Sequence, residues 1–238
     1  MNLTDILKGA FEVYRRNPWA LFLVAAPAIP LTVAGILVTP DSWVLTVVIL
    51  PIALMVLYAV PAAALIRAVA DALDGTAPDF WKSYAAAFSR LSRIVPAVLR
   101  WWITLQVLSI IVIGAPLAFY LLTRWFFFQQ AIVLEDARAG ASLKRSGDLV
   151  AGSWWRVFGI TLVIMIISAA PTVFVSFVLF PGPPGGFDGV GVLSPPAGVS
   201  IAVTSLIGAL MMPFAVSAET ILFFDLRGRR AAAAVAPA

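Results

Sequence analysis

Residues 157–180 read VFGITLVIMIISAAPTVFVSFVLF, a stretch of 24 residues without a charged side chain. A helix of that length rises about 36 Å at about 1.5 Å per residue, which is enough to cross a hydrocarbon core of about 30 Å. The rest of the chain shares this character, since 62% of its 238 residues are hydrophobic and 12% are charged. Soluble domains contain about 25% charged residues. The sequence therefore predicts an integral membrane protein built of helices.

Six such apolar stretches are expected, which gives an all-α polytopic membrane protein with one transmembrane domain over residues 1–230. A turn at Gly114-Ala115-Pro116 divides the long apolar region 95–135 into two helices, because Gly and Pro interrupt helices. Prolines are also expected to break the second span, and the Ala-rich residues 231–238 are expected to form a disordered tail. The predicted spans are 18–38, 43–70, 95–113, 116–135, 157–180 and 198–224.

Segments that mix apolar and basic residues precede three of these spans. Residues 3–16 place apolar side chains on one helical face and charged side chains opposite, as in amphipathic helices that lie in the membrane interface. Residues 76–93 predict a second interfacial helix, and 138–152 are again polar and basic. The chain therefore either contains three repeats of an interfacial segment followed by a helical hairpin, or has only the pattern common to hairpin proteins with basic loops.

The distribution of charge predicts the orientation of the chain. Six spans place fifteen of the sixteen Lys and Arg residues on the side of the N-terminus, with Arg124 inside a span. The opposite loops carry only Asp41 and Asp188. Because cytoplasmic loops collect Lys and Arg, both termini are expected in the cytoplasm. Topology and anionic lipid headgroups explain the net charge of +4, so nucleic acid is not an expected partner.

The chain contains neither cysteine nor histidine. These absences exclude disulfides, thiolate chemistry and histidine-based catalysis, and they remove nearly all types of zinc and haem site. The remaining carboxylates and hydroxyls do not show the spacing of a nucleophile and its base. We therefore expect a protein that is not an enzyme and that holds no cofactor and no metal.

Two charged residues are expected deep within the spans, and each has alternative interpretations. A charge at the depth of Arg124 costs at least about 2.5–3.5 kcal/mol without a partner, water or a route to the interface. Arg124 could form a pocket for a lipid phosphate with nearby glutamines, could pair with Glu219, or could lie in a shallower hairpin. Glu219 could relay protons or bind a cation, or it could reach the headgroups. The candidate ligand-binding residues are Arg124, Gln129, Gln130, Glu135 and Glu219.

Basic residues between the spans could bind anionic headgroups or could only set the topology. They are Arg90, Arg93, Lys144, Arg145 and Arg156. The first functional hypothesis is a non-enzymatic membrane module, a scaffold or accessory subunit that holds lipid, a protein partner or a second copy of itself. The alternative is a transporter or lipid translocase with a polar site around Arg124 and Glu219.

Residues 142–160, SLKRSGDLVAGSWWRVFGI, follow RWFFFQQAIVLED and precede a terminal FFDLRGRR. With these segments the chain resembles the membrane-domain family of glycerophosphoryl diester phosphodiesterases and its stand-alone bacterial relatives. Ser142-Leu143 stands where that family usually has Ala-Leu. The resemblance implies a multi-helix module of a bacterial cell membrane. It does not imply phosphodiesterase activity, because that activity depends on histidines in a soluble barrel.

Overall fold

The computed structural model describes residues 1–37, 42, 44–45, 49–110, 114–179 and 197–235. In these ranges the chain forms helices and no strand, which confirms the all-α prediction. Asp41, Asp188 and the Gly- and Pro-rich loop 181–196 lie outside the described residues. The helices are α1 Leu3–Arg16, α2 Pro18–Ala25, α3 Ala28–Leu37, α4 Leu50–Leu73, α5 Phe80–Phe88, α6 Leu91–Ile110, α7 Gly114–Arg124, α8 Phe128–Glu135, α9 Ala139–Val150, α10 Trp154–Leu179 and α11 Ala197–Val235.

Within the described part of the chain, four helical stretches are long and apolar enough to cross a membrane. They are Leu50–Leu73, Pro116–Glu135, Trp154–Phe177 and Ile201–Ala233. A fifth would combine Leu3–Arg16 with Pro18–Ala34, which meet at an angle of 93°. The protein is therefore a membrane-spanning helical protein with four or five candidate spans, and six spans remain a prediction.

Several helix boundaries differ from those expected. Pro61 does not break the second span, because it is buried inside a continuous α4, and Pro51 lies in the first turn of that helix, where it is tolerated. The stretch 18–38 is instead interrupted at Ala26 and Pro27, and 116–135 is interrupted at residues 125–127. At the C-terminus, α11 continues to Val235, so residues 231–235 of the expected disordered tail are helical.

The order of the helices fits the threefold-repeat interpretation. Three short helices, α1, α5 and α9, each precede an outgoing helical segment that begins at Pro18, Leu91 or Trp154. A returning segment follows in each case, formed by α4, by α7 with α8, and by α11. Acidic residues lie near the cytoplasmic ends expected for these returning segments, at Asp71, Glu135 and Asp225. Each of these acids forms an ion pair with a basic side chain.

Two hydrophobic clusters hold the helices together. The first surrounds α4, whose buried alanines, including Ala63, Ala64 and Ala68, allow neighbouring helices to approach closely. The second joins α1, α10 and α11 around residues such as Phe127 and Phe223. Helix α8 contributes to both clusters, so its side chains point into the interior from more than one face. Three of the candidate ligand-binding residues, Gln129, Gln130 and Glu135, lie on this helix.

Candidate functional site

The break between α7 and α8 is held by a serine of α9. The Ser146 hydroxyl accepts a hydrogen bond from the Phe127 N–H at 3.0 Å and donates one to the Arg124 carbonyl oxygen at 2.9 Å. Helix interruptions leave backbone groups without their usual partners, which is costly where water is excluded. Ser146 satisfies two of these groups and thereby fixes where α8 begins.

A polar pair connects α8 to α11. Gln130 is only 2% exposed, and its amide lies near the Glu219 carboxylate. The amide oxygen of Gln130 has no hydrogen-bond partner among the described atoms. No described Lys or Arg forms an ion pair with Glu219. Because a carboxylate can accept several hydrogen bonds, Glu219 retains capacity for a further donor.

A groove of about 290 Å³ lies between α10 and α11, with Glu219 in its wall. Small residues and methionines line most of it, and Ser168 contributes a buried hydroxyl that has no hydrogen-bond partner in the described structure. The lining residues are Ile164, Met165, Ser168 and Ala169 of α10, and Gly208, Met211, Met212, Ala215 and Glu219 of α11. We call this space the Glu219 groove.

A second cavity, of about 260 Å³, lies between α4, α6, α8 and α11. Tyr58, Trp101 and Gln129 contribute its polar groups, and the indole N–H of Trp101 has no partner among the described residues. Met212 lines both this cavity and the Glu219 groove. Two consecutive glutamines of α8 therefore lie in different places, since Gln129 lines the second cavity and Gln130 lies near Glu219.

Arg124 lies apart from these residues. It ends α7, its Nη1 donates a hydrogen bond to the Tyr120 hydroxyl at 3.4 Å, and its guanidinium lies 5.9 Å from the centre of the Tyr120 ring. Its side chain packs over Gly147 of α9. It forms no ion pair within the described ranges, so one of its three interpretations, the pair with Glu219, is not found there. The C-terminal carbonyls of α7 favour a cation at this position.

Most of the arginines that were predicted to bind headgroups form ion pairs with acidic side chains. Arg90 and Arg93 both pair with Asp136, and the hydrogen bond from Arg93 holds the pKa of Asp136 below its ordinary value. Arg145 binds Glu135 through two hydrogen bonds of 2.7 and 2.9 Å. Glu135, expected as a ligand-binding residue, is therefore engaged in a structural ion pair.

The two remaining predicted headgroup residues differ from each other. Arg156 of α10 donates a hydrogen bond to Asp225 at 3.0 Å, and Asp225 also binds Arg229. Lys144 is exposed on α9 and forms no ion pair with a described residue. Among the described residues, no three acidic side chains come together in a way that could hold a metal ion.

Sequence reasoning identified Gln130 and Glu219 separately but did not predict that they contact each other. It missed Ser146 and Ser168, because a lone serine in a helix carries no signal of its role. It also missed that Met212 lines both the Glu219 groove and the second cavity, because this depends on how the helices pack around α11.

A family model described as a domain of unknown function (DUF7847) matches residues 43–222. The matched range includes both cavities and the polar pair. No curated protein and no solved structure matches the chain.

Proposed function

The chain belongs to the DUF7847 family of domains of unknown function, and from its geometry we propose that it is a non-enzymatic membrane module that binds anionic lipid headgroups. We further propose that it resides in a bacterial cell membrane with both termini in the cytoplasm. The resemblance to the phosphodiesterase membrane-domain family is in keeping with such a module. The proposed protein partner of this module is a second copy of the chain or another membrane protein.

The observation that carries this proposal is a group of basic side chains without acidic partners. The guanidinium of Arg100 lies 3.7 Å from the point that a Cβ at Gly140 would occupy. Lys144 follows Gly140 by one helical turn, so both positions share one face of α9. Arg138 immediately precedes the first turn of the same helix. We call Arg100, Arg138 and Lys144 the basic patch, and none of the three forms an ion pair with a described residue.

Exposed tryptophans support an interfacial position for the first turns of three helices. Trp19, Trp81 and Trp155 are 76%, 78% and 78% exposed, and each is the second residue of a helix. Tryptophan is enriched at the level of the headgroups, where its ring packs on lipid and its N–H reaches polar groups. Each basic residue near an anionic membrane surface contributes about 1 kcal/mol of binding.

The test compares two triple variants of equal charge in nanodiscs made of anionic and zwitterionic lipids. The first replaces Arg100, Arg138 and Lys144 by Gln, and the control replaces Lys8, Arg15 and Arg230 by Gln. Native mass spectrometry then counts the anionic lipids that stay bound. We expect the patch variant to lose several-fold more bound anionic lipid than the control. Equal retention by the patch variant and the unmodified protein would contradict the proposal.

A second candidate function is a transporter or lipid translocase. The observation in its favour is that Met212 lines two cavities on different sides of α11. Discontinuous helices, such as α7 and α8, are common in transporters. Movement of fluorescent lipid between leaflets of vesicles, lost in Glu219→Gln, would support this function, and unchanged movement in that variant would count against it.

The proposed orientation can be tested with single cysteines, because the chain has none of its own. Cysteines at Ser89 and at Arg230 are expected to react with an impermeant maleimide only from the cytoplasmic side. A cysteine at Ser42 is expected to react from the opposite side. Labelling of all three from the same side would contradict the proposed topology.

A further inference from the structure

We propose that the Glu219 groove binds a membrane-dissolved amphiphile that has a single ammonium head and an apolar tail. The head lies against the Glu219 carboxylate, and the tail lies along the methionines of the groove. This inference does not rest on the basic patch, so it can fail while the proposed lipid module stands. The ligand proposed for Glu219 is a cation, whereas the ligand expected for Arg124 is an anionic lipid phosphate.

The first argument is the incomplete set of partners around Glu219. The neutral amide of Gln130 lies near it, and no described Lys or Arg pairs with it. By contrast, Glu135 and Asp225 on the same side of the protein each bind two arginines. Taking a carboxylate out of water costs several kcal/mol unless a counter-charge, hydrogen bonds or a bound proton compensates for the lost water. A cationic head would supply both the counter-charge and the hydrogen bonds.

The second argument is the hydroxyl across the groove. Ser168 of α10 lines the same space as Glu219 of α11, and its buried Oγ has no hydrogen-bond partner in the described structure. An ammonium group donates three hydrogen bonds and accepts none. A carboxylate and an unpartnered hydroxyl in the walls of one groove therefore complement a primary ammonium, whereas a phosphate or carboxylate ligand would be repelled by Glu219.

The third argument is the shape and lining of the groove. A volume of about 290 Å³ is at the lower limit of small-molecule sites and fits a head with the first part of a tail. Met165, Met211 and Met212 supply flexible, polarisable side chains that adapt to irregular apolar chains. The groove lies between two helices that are candidate membrane spans, so its ligand would come from the lipid phase.

Gly208 provides a way to fill the groove without altering Glu219. A Cβ at this position would meet no atom within 4 Å, so a larger side chain would occupy the open space. Gly159 of α10 is equally open but is not part of the groove lining. Gly208→Leu is thus expected to block the ligand, and Gly159→Leu is its matched control.

The experiment uses the full chain in nanodiscs of phosphatidylcholine and two fluorescent probes with identical alkyl tails. One probe ends in a primary ammonium and the other in a hydroxyl. We expect the unmodified protein to bind the ammonium probe about tenfold more tightly, because a charge-assisted hydrogen bond is stronger than a neutral one. Glu219→Gln should remove this preference, and Glu12→Gln, which alters an exposed side chain of α1, should retain it.

Gly208→Leu should weaken binding of both probes, whereas Gly159→Leu should leave both unchanged. Thermal unfolding of each variant checks that it is folded. Equal binding of the two probes to the unmodified protein would overturn the proposal, as would a preference that survives in Glu219→Gln. If Glu219→Gln does not fold, unaltered binding of the ammonium probe to Gly208→Leu overturns it instead.

Discussion

The Ser146 hydroxyl accepts a hydrogen bond from the backbone N–H of Phe127 at 3.0 Å, across the break between α7 and α8. Phe127 is fully buried, so water cannot replace this partner. The break sets the direction in which α8 leaves α7, and α8 carries Gln129 to one cavity and Gln130 to Glu219. Ser146 of α9 therefore helps to position Gln129 and Gln130, although it lines neither of the two cavities.

Replacing Ser146 by Ala should lower the free energy of unfolding by about 1–3 kcal/mol, because two backbone groups at the break lose their partner. Ser142→Ala, one turn earlier in α9, is the matched control. The Ser142 hydroxyl donates only to the Ala139 carbonyl of its own helix, so its loss should cost less than about 1 kcal/mol. Denaturant titration in detergent micelles measures both. Equal losses would show that the break does not depend on Ser146.

Gly114 begins α7 at a position where a side chain does not fit. A Cβ there would overlap with the Leu108 carbonyl oxygen of α6, and a backbone atom cannot move aside cheaply. Gly114→Ala should therefore destabilise the protein by about 1–3 kcal/mol. In contrast, Gly159→Ala meets no neighbouring atom and should be neutral or stabilising by about 0.5–1 kcal/mol. The midpoint of thermal unfolding should fall in Gly114→Ala, and it should stay the same or rise in Gly159→Ala.

The start of a helix at Gly114 was predictable because Gly and Pro act through the local backbone, but the turn expected at 114–116 is not found there, since these three residues belong to α7. The three short helices and the outgoing helices also begin close to the expected positions, because helix starts depend on residues that are near each other in the sequence. Pro61 shows the limit of such reasoning, since the helix around it is held by packed neighbours and is not broken. The interruption of the helix at 125–127 had no signal in the sequence, because the serine that binds its backbone groups lies in another helix.

The candidate site was predictable only in part. Glu219 and Gln130 could be recognised as polar residues within apolar stretches, but their contact depends on how α8 and α11 pack. Arg124 was expected in the middle of a long helix, yet α7 ends at this residue, which places it beside Tyr120 and Gly147 instead. The sequence does not show which acidic side chain an arginine will pair with. Glu135 was therefore predicted to bind a ligand, although in the structure it forms an ion pair with Arg145.

The pair of Glu135 and Arg145 should contribute measurably to stability. Glu135 is largely buried, and the two hydrogen bonds from Arg145 hold the end of α8 against α9. A double-mutant cycle with Glu135→Gln and Arg145→Gln should give a coupling energy of about 1 kcal/mol, reduced because Arg145 is partly exposed. The exposed pair of Glu12 and Arg16 on α1 should give about 0.3–0.5 kcal/mol. A larger coupling for the exposed pair would contradict this assignment.

Tyr84 should lose its proton later than an ordinary tyrosine. It is buried on α5, its hydroxyl donates a hydrogen bond to the Val24 carbonyl at 2.9 Å, and burial raises its pKa to about 12. A free tyrosine has a pKa of about 10. The folded state thus holds this proton more tightly than the unfolded state, so the stabilisation is complete below about pH 10 and is lost as the pH rises through about 12.

Subtraction isolates the ionisation of Tyr84 from that of the other three tyrosines. Tyrosinate absorbance is followed against pH for the unmodified protein and for Tyr84→Phe, which keeps the ring packing and removes the hydroxyl. The difference should titrate with a midpoint near 12 in the folded protein and near 10 after unfolding. A difference midpoint near 10 in the folded protein would show that the hydroxyl is open to water, and the contact between α5 and α2 would then not form as described. Tyr84→Phe should also cost about 1 kcal/mol of stability at neutral pH, since the Val24 carbonyl loses a hydrogen bond.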